Sequence, residues 1–356
     1  MRQLSQFCLV MLTLLSVAGC TSLRYYSQAI GGQLRLMVSG APISDLLADP
    51  ELAPALREQL HTAIAAREFA GDWLALPVDG SFARYIELDR PYVVVNLTAV
   101  PEFSLTPHQW CYPVIGCQSY RGYFDTADAR REQAHFEARN YDTLLGGVTA
   151  YSTLGWFDDP LHSGFTNLPS ARMVALLFHE LSHRVVYVAG DTVFNESFAT
   201  AVELEGLRLW LAQHGEQAEF EQALRRLRHR DQTLALVNNA SDQLSELYRQ
   251  AGQRPVAELR AAKQQILQRL QEDYQALSVD WPEAGPLGRE PADLNNAHLA
   301  LLRQYHQFVP AFRQLLQDHN YDFPAFYRSV KELARLPPDR RQRRLARLAQ
   351  RFDEHL

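Results

Sequence analysis

The chain has 356 residues, 47% of them hydrophobic and 10% aromatic, and a formal net charge of −6 at neutral pH. That length holds one large domain or two ordinary ones, and the apolar content suffices for a core. The acidic balance gives no grip on nucleic acid or on anionic lipid, so composition indicates neither as a partner.

At the N-terminus, Arg2 precedes an apolar run from Phe7 to Val17 and the small pair Ala18-Gly19. The run is too short to span a bilayer and has the form of a secretory signal over residues 1–19. Val17-Ala18-Gly19-Cys20 resembles the bacterial lipoprotein box, in which cleavage leaves Cys20 as a lipidated N-terminus. A plain cleaved signal with an incidental cysteine is the alternative. Thr21 in place of Asp resembles the outer-membrane sorting pattern. This resemblance implies an exported lipoprotein on the periplasmic face of a membrane, the outer one, with residues 20–30 as a tether. Cys111 and Cys117 lie close in sequence, so an oxidising compartment would allow a small disulfide; two buried thiols are the other reading.

From Gly31 to Leu74 the apolar spacing is helical. Tyr92 to Leu97 is β-branched and predicts a buried strand bounded by Pro91 and Pro101. Trp110 to Tyr123 is rich in aromatics and glycine and suggests strand and turn, and Asp125 to Arg139 predicts a helix with a solvated face. Gly146 to Phe157 has the composition of a strand and precedes the turn Asp158-Asp159-Pro160. Tyr151 within it either faces a cleft or packs as a cross-strand aromatic. His162 is either catalytic or, the more common case for a lone loop histidine, merely exposed.

The segment Phe178-His179-Glu180-Leu181-Ser182-His183 carries His-Glu-x-x-His in an apolar run. On a helix, residues i and i+4 share a face, so His179 and His183 offer two imidazoles to one Zn²⁺, while Glu180 is close enough to touch water on the metal. A third ligand is needed. Gly190 and Asp191 read as a helix stop and an N-cap, opening a second helix at Thr192 that Gly215 ends. Folded back as a hairpin, that helix brings Glu196 level with His183 and Glu203 level with His179. Glu196 is the expected third ligand, and Glu203 the partner that orients His179. Glu203 also has the spacing of the ligand in thermolysin-type peptidases, so it remains an alternative.

The remaining chain predicts helices at about 216–251, 255–277, 292–319, 323–336 and 339–355, punctuated by Gly252, Pro282 to Pro291, Pro310 and Pro337-Pro338. Arg340 to Arg351 has arginines all round and predicts a solvated helix, with membrane-headgroup contact as a lesser reading.

Phe194-Asn195-Glu196-Ser197-Phe198-Ala199 resembles the Asn-Glu-x-Phe-Ala box of glutamate-ligand zinc peptidases. The words Trp110 to Gly116, Tyr120 to Phe124, Ala150 to Phe157, Gly190 to Thr200 and Asn295 to His298, with the His179 motif, together resemble a family of predicted zinc aminopeptidases from proteobacterial lipoproteins. The resemblance implies an α+β, mainly helical, zincin-like domain over residues 31–356, in which an HExxH helix hairpin joins a small β-sheet. The sheet would occupy about 75–160, with the strand at Gly146 to Phe157 as the edge along which a peptide adds antiparallel, and the helical body about 161–356. It implies aminopeptidase action on a peptide substrate with one Zn²⁺. A periplasmic endopeptidase or peptidoglycan-peptide hydrolase, and a non-catalytic scaffold with structural zinc, are the alternatives. An oxyanion donor would come from Tyr187, Tyr305 or His298, none of which the sequence singles out.

Overall fold

The computed structural model describes residues 20–112, 116–148, 158–214, 217–303 and 308–352. It begins with helix α1 (Cys20–Ser39). Arg24 of α1 donates to Asp128 at 2.7 Å, Gln28 Oε1 accepts from the Phe124 amide, and the Arg121 guanidinium lies 3.6 Å over the Tyr25 ring. Residues 24, 25 and 28 of the stretch expected as a tether thus contact the fold. Such a stretch looks free in sequence because its partners lie about a hundred residues away.

After β1 (Ala41–Pro42) come α2 (Ile43–Ala48) and α3 (Pro54–Asp72). Pro54 starts α3, where its missing N–H costs no hydrogen bond. Strand β2 (Arg84–Ile86) pairs antiparallel with β1. Strand β3 (Val94–Pro101) runs four residues past the predicted Leu97, with Pro101 inside the ladder opposite Tyr141. The short pair β4 (Trp110–Tyr112) and β5 (Gly116–Gln118) places Cys111 opposite Cys117, and the two form a disulfide. Strand β6 (Arg121–Tyr123), helix α4 (Thr126–Glu137) and strand β7 (Tyr141–Val148) follow. Asp125 caps α4 by accepting from the amides of Ala127 and Asp128. Strands β6 and β7 flank β3, both antiparallel, so β7 is an edge strand among the described residues. Only Gly146 to Val148 of the predicted strand at 146–157 fall within it. Residues 149–157, Tyr151 included, lie outside the described residues.

Strand β8 (Leu161–His162) adds parallel to β2 and leads into α5 (Ser163–Thr166) and α6 (Ser170–Ser182). The helical body continues with α7 (Thr192–His214), α8 (Gln217–Tyr248), α9 (Val256–Ser278), α10 (Asn296–Arg303), α11 (Val309–Asp318), α12 (Phe323–Ala334) and α13 (Pro338–Ala349). The segment predicted at 292–319, punctuated by Pro310, holds α10 and α11 among the described residues, with Pro310 in the first turn of α11. The chain is thus mainly helical with small sheets.

Helix α6 lies in the middle of the largest core. Met173, Val174, Leu177, Phe178 and Leu181 are fully buried, packed with residues of α3 and α7. An apolar surface that extends round most of a helix needs neighbours on several sides, and this one has them. Where α7 crosses α6, Gly206 allows the approach: a Cβ there would stand 2.8 Å from both Leu74 Cδ1 and Phe178 Cδ2. Separate apolar clusters join β3, Trp110 and Phe136 of α4, and Val237 and Leu244 of α8 with Leu259 and Leu270 of α9.

Two expectations fail for one reason. His162 is 3% exposed, not a surface residue, and its Nδ1 accepts from the Gly164 amide to cap α5. Arg341 is 5% exposed within a helix predicted to be solvated. Its guanidinium donates to Asp191 at 2.6 and 2.9 Å and to the carbonyls of Ala334 and Leu336. Local polarity predicts exposure, but a polar group is buried wherever distant chain supplies its partners.

Candidate metal centre

Helix α6 ends at Ser182, with His183 as its C-cap. The hairpin is therefore built differently from the prediction, which carried helix towards Gly190. Residues 184–191 form a turn segment anchored at both ends. Arg184 donates to the carbonyls of Pro77 and Val78, to Ser81 Oγ and to Asp79. At the other end the Asn195 amide grips the Val188 peptide, accepting from its N–H at 2.8 Å and donating to its carbonyl at 2.9 Å. Gly190 takes φ +77°, and Asp191 Oδ1 accepts from the Phe194 amide to cap α7.

The stretch from Phe194 to Phe198 then points its residues in assigned directions. Asn195 closes the loop, Ser197 Oγ accepts from the Phe308 amide, and Phe198 packs against Phe312, Phe326 and Tyr327. With those three committed, Glu196 faces the imidazoles. Its Oε2 stands 3.3 Å from His179 Nε2 and its Oε1 3.8 Å from His183 Nε2. The ligand atoms of His179, His183 and Glu196 all lie within 4.8 Å of one another. Glu203, two turns along the same face of α7, places Oε2 2.9 Å from His179 Nδ1.

These donors could hold a metal ion, their separations running from 3.3 Å up to 4.8 Å. Ligands about 2.0–2.1 Å from zinc at tetrahedral angles stand roughly 3.3–3.4 Å apart, close to the His179–Glu196 separation. The hydrogen bonding agrees. The His179 ring lies between two carboxylates, Glu203 at Nδ1 and Glu196 at Nε2. Burial pulls the His179 pKa down, but the hydrogen bonds and charges of Glu196 and Glu203 outweigh it and hold it well above its usual value. Burial would lift Glu196, yet the His179 hydrogen bond, both imidazoles and Arg230 bring it below the usual carboxylate range. His183, with weaker charge contacts, is pushed by burial to about 4, so it is a neutral donor at pH 7. Its Nδ1 is buried without a hydrogen-bond partner among the described residues.

Glu180 is 9% exposed, and burial raises it to about 7; His179 opposes this, while Glu196, Asp159 and Glu203 add to it. A carboxyl balanced near neutrality can both accept and release a proton at working pH. Tyr187 is half-buried, its hydroxyl accepting from Gln118 Nε2 at 3.4 Å. Burial raises its pKa, and Glu196 is near enough to push it further up. His298 is elsewhere: it bonds Asn295, and the charges it feels are Asp142 and Asp293. Tyr305 lies outside the described residues.

Sequence reasoning missed several contributors. Asp159, 5% exposed, was assigned to a turn, yet its charge reaches Glu180. Gln118 and the disulfide-closed hairpin reach Tyr187, and Arg341 holds the Asp191 cap of α7. Only Asn195 carried a local signal, as the amide beside the candidate ligand.

The chain was compared with known proteins. No match was found among curated proteins or among solved structures. Residues 24–345 match the model of a protein family described as "Putative aminopeptidase", and over that span, nearly the whole chain, the protein belongs to this family.

Proposed function

We propose that the chain is a zinc-dependent aminopeptidase, with one Zn²⁺ held by His179, His183 and Glu196. The observation that carries this reading is the convergence of those three ligand atoms within 4.8 Å, with Glu180 buried beside them. Family membership supports peptide hydrolysis. The fold-back of α7 on α6, with the small sheets alongside, supports a zincin-like hairpin.

When bound, Zn²⁺ supplies Lewis-acid polarisation of the scissile carbonyl and lowers the pKa of water at an open position. The chain's own groups do the rest. Glu203 holds the Nδ1 proton of His179 and so directs Nε2 toward Glu196. Glu180 takes a proton from the attacking water and returns it to the leaving amine. Tyr187, protonated at working pH, offers its O–H to the developing oxyanion. The Cys111–Cys117 bridge supports an oxidising compartment, in line with export and lipidation at Cys20.

The test is metal content and turnover together. The purified protein is expected to hold about one equivalent of zinc, to lose hydrolysis with a chelator and to regain it with Zn²⁺. Glu180→Gln keeps the metal and lowers kcat by about 10²–10⁴-fold. Full activity of that variant removes Glu180 from the mechanism, and zinc bound without hydrolysis of any peptide leaves a structural site. Aminoacyl amides compared with N-blocked peptides decide exopeptidase from endopeptidase: preference for the blocked ones rejects the aminopeptidase reading.

A further inference from the structure

The acidic chain carries one cationic surface that nothing in the metal centre uses. Helix α13 packs its apolar stripe inward, with Leu345 1% and Leu348 3% exposed. Beside that stripe it projects Arg340, Arg343, Arg344 and Arg347, all exposed. Their spacing of three, four and seven residues puts like charges on one face, which destabilises a helix unless a counter-charge is present. Other arginines at this end of the fold have one: Arg341 is paired with Asp191 and Arg351 with Asp318. The four have no ion pair among the described residues.

These arginines rim a cleft of about 420 Å³ between α11, α12 and α13. Its floor is apolar, formed by Leu315, Leu333, Leu336 and Leu348, and Glu332 is the single acid on its wall. A free inorganic anion would need the guanidinium groups and have no use for four leucines. An apolar chain alone would need the leucines and gain nothing from four unpaired cations. A phosphate carried on an acyl chain uses both.

We infer that this cleft binds the headgroup and upper acyl segment of an anionic phospholipid, so that α13 lies against a membrane surface. The helix does not insert, because its own leucines are already buried in the protein; the contact is through arginine and the cleft. Net charge argued against such contact, but a surface field is set by local charge, and here four cations face a single acid. The inference stands apart from the metal site and from lipidation at Cys20.

The experiment is co-sedimentation of the chain from residue 20 onward, carrying Cys20→Ser to prevent lipidation, with vesicles of phosphatidylcholine alone or with about one-third phosphatidylglycerol. Binding to the anionic vesicles is expected to exceed binding to the neutral ones at least tenfold. Each juxtamembrane arginine contributes about fivefold, so Arg343→Gln/Arg347→Gln lowers the affinity about 20–30-fold. The control Arg225→Gln/Arg228→Gln makes the same charge change at exposed positions on α8 and is expected to leave binding within about twofold. Circular dichroism of each variant checks that it is folded.

Equal loss in both double variants means diffuse electrostatics and overturns the inference, as does no loss in either. Two competitors identify the occupant: soluble dihexanoyl-phosphatidylglycerol displaces vesicles from the wild type, whereas inorganic phosphate at the same concentration does not. Displacement by phosphate alone, or tighter binding to poly-glutamate than to the vesicles, assigns the cleft to a free anion or an acidic polypeptide and also refutes the proposal.

Discussion

Replacing Glu203 by alanine tests how the two acids of α7 divide the work. Glu203 Oε2 lies 2.9 Å from His179 Nδ1, and Glu196 Oε2 lies 3.3 Å from the Nε2 on the other side of the same ring. If Glu196 is the ligand, Glu203 acts only through His179, fixing its tautomer and raising its basicity. Such a partner is worth about 10–100-fold in metal affinity, or about 1.4–2.7 kcal/mol. The Glu203 side chain is 29% exposed, so water replaces part of the lost bond. The expected loss is therefore in the lower half of that range, about 10–30-fold. Glu196→Ala removes one of three donors and is expected to cost at least about tenfold more than Glu203→Ala. Zinc affinity is measured by competition with a chromophoric chelator, with circular dichroism to show that each variant is folded. If Glu203→Ala is the more damaging of the two, the third ligand is Glu203, and the geometry described above is not that of the loaded site. Unchanged affinity in Glu203→Ala means the hydrogen bond to Nδ1 does nothing for the metal.

Other expectations concern the frame that holds the site. Breaking a buried ion pair costs about 3–5 kcal/mol, and Asp191 is 28% exposed, so Arg341→Gln should lower stability by about 2–3 kcal/mol, measured as a reduced urea midpoint. A change under about 0.5 kcal/mol would mean the pair is solvent-like despite its burial. Gly206→Ala puts a methyl group against Leu74 and Phe178 and should cost about 1–3 kcal/mol, with weaker zinc binding because α7 must shift on α6; neutral behaviour would show that the crossing can relax. For His162, burial holds the folded pKa at about 4 against an ordinary 6.5. As pH falls below 6.5 the unfolded chain takes a proton that the folded chain refuses, so about 3 kcal/mol of stability present above 6.5 is lost by about pH 4. His162→Asn keeps an acceptor for the Gly164 amide and should remove that part of the slope from urea midpoints measured between pH 7 and 4; an unaltered slope would refute it.

What the sequence alone determined was local. The i, i+4 histidines, the apolar run around them, the helices of the body and the β-branched strand at Val94 are written in periodicities of 3.6 and 2, which short windows carry. Spacing made Glu196 and Glu203 both eligible, because either can be brought level with an imidazole if the intervening turn is free, and the resemblance of the words around Glu196 favoured that residue. Tertiary structure sets the two acids in different places: Asn195 clamps the Val188 peptide, Ser197 and Phe198 are tied to α11 and α12, and Glu196 is left facing both rings with Glu203 behind one. The same holds for Asp159, Gln118, Arg341 and His162, polar residues whose burial follows from partners far along the chain or from packing that no window contains. Hydrophobic pattern is a property of neighbours in sequence, whereas the satisfaction of a buried charge is a property of neighbours in space.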